Sequence, residues 1–501
     1  SFFCMWHLCY NKKQRQYEYI KSIIMRSIFN LTFFKHRIII IIVTGFFLRL
    51  LYVLFFSKYH AQSYYGEANI FAKGPDISMW LDCLNNLITH GSYSADINDP
   101  DGYFARMPGY AFFISIFYFL PGTNTYLYFL SFFQVICDTL NIYFIYRISE
   151  VIFNRKQVSY AAAILYAVHP MNILWAPFLS AESPAVFLML FSLFIFVCSK
   201  SNYKYFGFGF VAGFNILMRP QMALFALVYF LYFLYAVFRD KKKSDIKHVI
   251  VYGLGITLSY GWWPTRNLIL HHELIITHRI TAIKCWGEDI QAYSAYIYSV
   301  QSKWQPQFNQ ILKNQPIEID KENAYKYPPD SALLAKTFFL CQNYSSGFSE
   351  WPGYWKEPLT ANKFDTIIIE NFNTLKQHQL EYNGYHYWVI LPLENLKKCF
   401  FKIELVSNSN SSIKIMAVLL FLFRTFIILT GIVGTFVIIA RHGKIVILLN
   451  FLFFISWYLI ISAGDTYLLR NIEMRYLLQC DTLLILPAAY LLSIITFKKT
   501  E

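Results

Sequence analysis

The sequence predicts an all-α polytopic membrane protein of about ten transmembrane helices, with a small soluble domain of mixed or helical structure inserted between late spans. Three observations predict it. Hydrophobic residues are 56% and charged residues only 15% of the 501, too apolar a balance for a water-facing surface. The apolar residues also fall in blocks of roughly 17 to 25, the length that crosses ~30 Å of hydrocarbon at 1.5 Å per residue. Basic residues gather in short segments between those blocks, as the positive-inside rule requires. The net charge of +14 therefore reads as membrane topology rather than a nucleic-acid footprint, and the lipid bilayer is the first partner implied.

Residues 1–37 read as a cytoplasmic N-terminal segment. Its first 24 residues lack a spanning run, and Met25 is the expected start. The first span, Ile38 to Phe56, follows Lys35, His36 and Arg37 and has no small-residue cleavage site, so no cleavable signal is read. A loop, 57–107, follows on the extracytoplasmic side. Further spans are expected at Tyr126–Ile148, Ala161–Phe178, Ala185–Cys198, Phe206–Met218, Met222–Val237 and Val249–Trp263. The last three are expected at Ile415–Ala440, Ile445–Ala463 and Leu477–Phe497.

This count places the basic segments Arg147–Lys156, Lys200–Lys204, Arg239–Lys247, Arg441–Lys444 and the tail Lys498–Lys499 on one side. It requires that Tyr110–Leu120, bounded by Pro108-Gly109 and Pro121-Gly122, lie at the interface instead of crossing. The chain thus divides into a transmembrane module, 38–265, an extracytoplasmic domain, 266–412, and C-terminal helices, 413–501. Tyr387–Lys402, with apolar positions near helical spacing and Lys397, Lys398 and Lys402 nearby, is expected as an amphipathic helix returning to the membrane surface.

The patterns that carry chemistry fall at the extracytoplasmic ends of the spans. Asp76, in Gly74-Pro75-Asp76-Ile77-Ser78-Met79-Trp80, stands at a helix start just after the first span. By position it is either a solvated helix-start acid or a base near the membrane surface. Glu182 opens a span after Pro177, and orients an acceptor, pairs with an arginine, or complements the helix dipole. Arg106, Arg219, Arg266 and Arg475 converge on the same side, each either a phosphate ligand or a headgroup-facing cation, with Arg219 and Arg475 the best phosphate candidates. Arg49, inside the first span, is expected to be paired within the bundle.

Other groups read as structural. His169 precedes Pro170 at a helix break, and His271 and His272 read as loop residues. Asp96, Asp99 and Asp101, interleaved with Asn98 and Pro100, read as a turn, although a divalent cation is the one cofactor they leave room for. The nine cysteines show no CxxC or zinc spacing; Cys83, Cys285, Cys341 and Cys399 fall outside the spans and are either free or joined in one or two disulfides. Asn343-Tyr344-Ser345 and Asn410-Ser411-Ser412 match acceptor sequons, a triplet common by chance.

The run from Asp76 through His90-Gly91-Ser92-Tyr93 to Arg106-Met107-Pro108-Gly109-Tyr110 resembles the first loop of the GT-C glycosyltransferases. It is most similar to the protein O-mannosyltransferases and the bacterial lipid A aminoarabinose transferases, glycosyltransferase family 39-like enzymes. His169-Pro170, Ser180-Ala181-Glu182, Arg219-Pro220, Trp262-Trp263-Pro264-Thr265-Arg266-Asn267 and Glu473-Met474-Arg475-Tyr476 follow in the family's order. The resemblance implies a GT-C-like fold and an inverting transfer from a polyprenyl-phosphate-linked sugar to an extracytoplasmic acceptor. It implies Asp76 as general base and the active site on the extracytoplasmic face of the plasma (inner) membrane. Asp82, where the family has a small residue, and the lack of a second acid beside Asp76 depart from the pattern. The rival readings are a GT-C glycan polymerase or ligase, whose arginine and histidine chemistry lies in its large loop, and a transporter or flippase, which would show broken, charged helices at the midplane and an inverted repeat.

Overall fold

Every expected span is occupied by helix in the computed structural model, which describes residues 37–55, 57, 75–120, 125–240, 243–279, 287–351, 360–401, 411–464 and 474–497. In chain order the first part of the bundle is α1 (Arg37–Phe55), α2 (Pro75–His90), α3 (Gly109–Tyr118), α4 (Thr125–Phe153), α5 (Lys156–Ala167) and α6 (Pro170–Trp175). It continues with α7 (Glu182–Cys198), α8 (Lys204–Met218), α9 (Met222–Asp240), α10 (Lys243–Tyr260) and α11 (Trp262–His271). A helical lobe follows, built from α12 (Glu288–Val300), α13 (Gln305–Leu312), α14 (Asp330–Asn343), α15 (Lys363–Tyr382) and α16 (Leu391–Phe401). The chain then returns to the bundle with α17 (Ser411–His442), α18 (Ile445–Gly464) and α19 (Leu478–Phe497).

Among the described residues, five helices are long and apolar enough to cross a membrane unaided: α1, α4, α9, and the stretches Val418–His442 and Arg475–Thr496. The others fall short for local reasons. The expected span Ala161–Phe178 is corrected to two pieces, because Pro170 has no N–H to continue the ladder and α5 stops at Ala167 before α6 begins at Pro170. Arg219-Pro220 likewise stops α8 at Met218, and Lys243, Asp245 and Lys247 make the first turns of α10 polar. Helix α3 has ten residues, about 15 Å of rise, too short to cross.

Small residues let the helices close. A Cβ on Gly209, Gly213 or Gly255 would strike backbone or side-chain atoms across the α8–α10 contact, and one on Gly431 or Gly434 would strike the Leu484 or Pro487 carbonyl across α17–α19. Between helices in lipid, where burial from water gives no drive, such backbone proximity supplies the packing energy. Arg49 is paired as expected: its Nε lies 2.5 Å from Asp138 Oδ2, with Nη1 on the Gly45 and Ala167 carbonyls. A second buried pair that the sequence reading missed, Arg424 Nε to Asp481 Oδ2 at 2.5 Å and Nη2 to Oδ1 at 3.2 Å, joins α17 to α19.

The lobe has its own core, with Tyr293, Tyr296, Phe308, Phe338, Phe348, Ile368 and Phe372 at its centre. Asp289 accepts from Ser345 Oγ at 2.5 Å and from Gly347 N at 3.1 Å, and Asp365 accepts from Ser346 N at 3.0 Å. Ser345 of the first sequon is therefore buried and engaged. Cys83 and Cys341 are buried free thiols; Cys285 and the Cys399 side chain lie outside the described residues, as does Asn410.

Candidate functional site

Glu182 is the first residue of α7 and is 4% exposed, and a carboxylate so buried must find cations. Arg219 supplies one: it caps the C-terminal end of α8 and places Nη1 2.7 Å from Glu182 Oε1. Arg475, on the turn that leads into α19, brings Nε to 3.5 Å from the same oxygen. Tyr476 lies beneath both guanidiniums, its ring centroid 5.5 Å from Arg219 Cζ and 5.2 Å from Arg475 Cζ. Gln479, one turn further along, donates to the Glu182 carbonyl at 3.3 Å.

Helix α3 closes this cluster on another side. Tyr110 is within electrostatic reach of Glu182 and donates to Gln134 Oε1 at 2.8 Å. Gln134 in turn donates to the Phe178 carbonyl at 2.5 Å, just before Glu182. Gly109 is required for this approach, because a Cβ there would overlap the Leu217–Met218 backbone immediately before Arg219.

Arg106 and Arg266 occupy a second, neighbouring place. Arg106 lies over the Trp80 ring, Cζ to centroid 4.7 Å, and Trp80 Nε1 donates to the Met107 carbonyl at 3.2 Å. Arg266 donates to the Tyr93 carbonyl at 2.9 Å and the Tyr103 carbonyl at 3.2 Å, and lies over Trp263. Its observed bonds tie the first loop to α11. Asp76 is the second residue of α2, the helix start expected for it; its side chain lies outside the described residues, as does Glu473. Helix α2 ends at His90, and Gly91, at φ +69°, makes the turn that a side chain would strain.

A strap, residues 273–279, crosses from α11 to the first loop. Trp263 Nε1 donates to the Thr277 carbonyl at 2.8 Å and Asn267 Nδ2 to the Ile275 carbonyl at 2.9 Å. Arg279 N donates to the Phe104 carbonyl at 3.0 Å, and its guanidinium pairs with Asp101 and Glu273. His278 in this strap was not singled out from the sequence, which offers no motif for it. Burial and the neighbouring Arg106 charge push its imidazole down to about 4.

The unfolded chain would therefore bind a proton on His278 near pH 6.5 that the folded strap refuses, so the stability this residue contributes is present above pH ~6.5 and is lost as pH falls toward 4. Amide hydrogen exchange across 273–279 should rise over that range, and His278→Phe should flatten the rise. Equal pH dependence in both proteins would contradict it.

Among the described residues no three His, Cys, Asp or Glu side chains gather as metal ligands. Asp96 accepts from Asn98 N, Asp99 from Asp101 N, and Asp101 pairs with Arg279, so these acids serve a turn, a cap and an ion pair. His169 is fully buried, and among the described residues neither ring nitrogen has a hydrogen-bond partner. His271 closes α11 with its ring 4.4 Å from that of Tyr103.

Residues 105–263 match the family model of the dolichyl-phosphate-mannose-protein mannosyltransferases. The matched segment contains Arg106, Glu182 and Arg219, while Asp76, Arg266 and Arg475 lie outside it. No curated protein matches the chain. Two crystal structures of the Archaeoglobus fulgidus oligosaccharyltransferase align with it. One, tethered by a disulfide to an acceptor peptide containing the NVT sequon, covers 93% of the chain at 14% identity and a TM-score of 0.49. The other, the apo form, covers 92% at 13% identity and a TM-score of 0.46. The chain spans about half of that enzyme's length, 50% and 51% in the two cases.

Proposed function

We propose that the protein is an inverting glycosyltransferase that moves a hexosyl or pentosyl unit from a polyprenyl-phosphate donor to a protein, lipid or glycan acceptor on the extracytoplasmic side of the plasma (inner) membrane. The observation that carries this reading is the pair of buried guanidiniums, Arg219 within the matched segment and Arg475 beyond it, gathered on Glu182. A guanidinium has five N–H donors in a planar fork that matches the oxygens of a phosphate. A departing lipid phosphate needs such donors already in place.

In the reaction, Asp76 takes the proton of the acceptor hydroxyl and the oxygen attacks the anomeric carbon. The bond from that carbon to the phosphate oxygen breaks with its electron pair, and the polyprenyl phosphate leaves among the arginines. Glu182 holds Arg219 and Arg475 together; Arg106 and Arg266 order the first loop that carries Asp76. Placement and charge stabilisation supply most of the rate.

The test is to incubate purified protein in nanodiscs with a panel of labelled polyprenyl-phosphate sugars, with and without candidate acceptors. At least one donor should be consumed, and the product's anomeric configuration should be inverted. A folded protein that consumes none would favour the transporter reading instead.

A further inference from the structure

The lobe ends in a helix with two unlike faces. After α15 the chain re-enters helix, makes one π-turn at His386–Ile390 and continues as α16. One side is packed: Tyr387, Leu391 and Asn395, four residues apart, are 4%, 1% and 2% exposed. Helix α16 packs against α17 and α18, and His386 Nε2 lies 2.8 Å from the Val300 carbonyl of α12. Two positions out of phase, Tyr385, Val389 and Leu393 are also four apart, and are 71%, 37% and 57% exposed. The π-turn matters to this, because its wider turn keeps a four-residue repeat in line where an α-helix would let it drift. Trp388, 48% exposed, flanks the same stripe.

Such an aromatic and aliphatic stripe is costly in water, and the chain around it indicates what covers it. Helix α16 is separated only by residues 402–410 from α17, whose apolar residues Ile415, Leu419 and Leu422 are 64%, 60% and 54% exposed, the pattern of a lipid-facing span. Lys397 is exposed beside the stripe, and Lys398 and Lys402 follow in sequence. Tyr and Trp bodies with lysines at the rim are the composition of a helix lying in the headgroup boundary.

We infer that Tyr385, Trp388, Val389 and Leu393 insert into the bilayer interface, with Lys397 at the lipid phosphates. The lobe is then held at both ends, by the 273–279 strap before it and by this lipid contact after it. The contact does not depend on the chemistry proposed above, and neither readout below uses transfer activity.

The full chain is placed in nanodiscs of phosphatidylcholine and phosphatidylglycerol with brominated acyl chains, and the Trp388 emission is taken as the difference between the unaltered protein and Trp388→Phe. That component should lose most of its intensity to the bromolipid and little to aqueous acrylamide, and Leu393→Glu should reverse both. In the unaltered protein, which needs no variant to fold, a diazirine-bearing lipid should label peptide 384–401 at Tyr385, Val389 or Leu393 and leave Tyr387 and Leu391 unlabelled. A Trp388 component insensitive to bromolipid would overturn the inference, whether acrylamide reaches it or a protein surface covers it. Labelling confined to Tyr387 and Leu391, or absent from the peptide, would do the same.

Discussion

Asp76→Asn should lower sugar transfer by roughly 10²–10⁴-fold, the usual range for loss of a positioned general base, while the protein still folds. Folding should survive because α2 loses only an acid in its first turn, a contribution of about 0.3–1 kcal/mol through the helix dipole. The substitution keeps the shape of the side chain and removes its basicity, so the loss should appear in kcat and should follow the acceptor's nucleophilicity. Arg475→Gln is the complementary experiment. It leaves Asp76 untouched and takes a cation from the Glu182 cluster, and should reduce turnover by about 10²–10³-fold, as removal of one donor from a developing oxyanion does. Its effect should follow the leaving phosphate and persist when water replaces the acceptor. Transfer near the unaltered rate in Asp76→Asn, in protein with an unchanged melting profile, would remove Asp76 from the mechanism. An Arg475→Gln variant that kept full donor turnover would remove the phosphate role from the cluster.

The second large effect concerns stability. Arg424→Leu should destabilise the protein by about 3–5 kcal/mol, because it leaves the Asp481 carboxylate buried between α17 and α19 without its bidentate partner. The double variant Arg424→Leu/Asp481→Leu should recover most of that loss, since two apolar side chains remove the desolvation penalty along with the attraction. Unfolding in nanodiscs followed by a thermal or denaturant melt reads both. If the single variant melts like the unaltered protein, the pair is not the lock it is described as. The same arithmetic applies to Arg49 and Asp138, where Tyr166 donates to Asp138 Oδ1 at 2.6 Å and keeps part of the charge satisfied.

Much of the bundle could be read from the order of residues. An apolar run long enough to cross a bilayer announces itself through length and composition, which are local, and α1, α4, α9, α17 and α19 answer to it. The break at Arg219-Pro220 follows from proline's missing donor and fixed φ, again local properties. The expected single span over Ala161–Phe178 failed at the one place where hydropathy and backbone chemistry disagree: the run is apolar throughout, but Pro170 divides it. Hydropathy averages over a window, whereas a missing N–H acts at one residue.

The site was legible in its members and not in its pairing. Glu182, Arg219 and Arg475 each stood out as a charge at a span end, yet only the fold brings Arg219 and Arg475 onto one carboxylate and sends Arg106 and Arg266 to Trp80, Tyr93 and Trp263. His278 had no mark in the sequence at all; its perturbation comes first from burial and then from Arg106, contributed by a different loop. By itself the sequence determined a helical chain with long apolar spans and most of the places where its helices break. The tertiary structure alone decided which charges meet, because Coulomb attraction and desolvation depend on distance through space, and helix packing brings together residues that no sequence period relates.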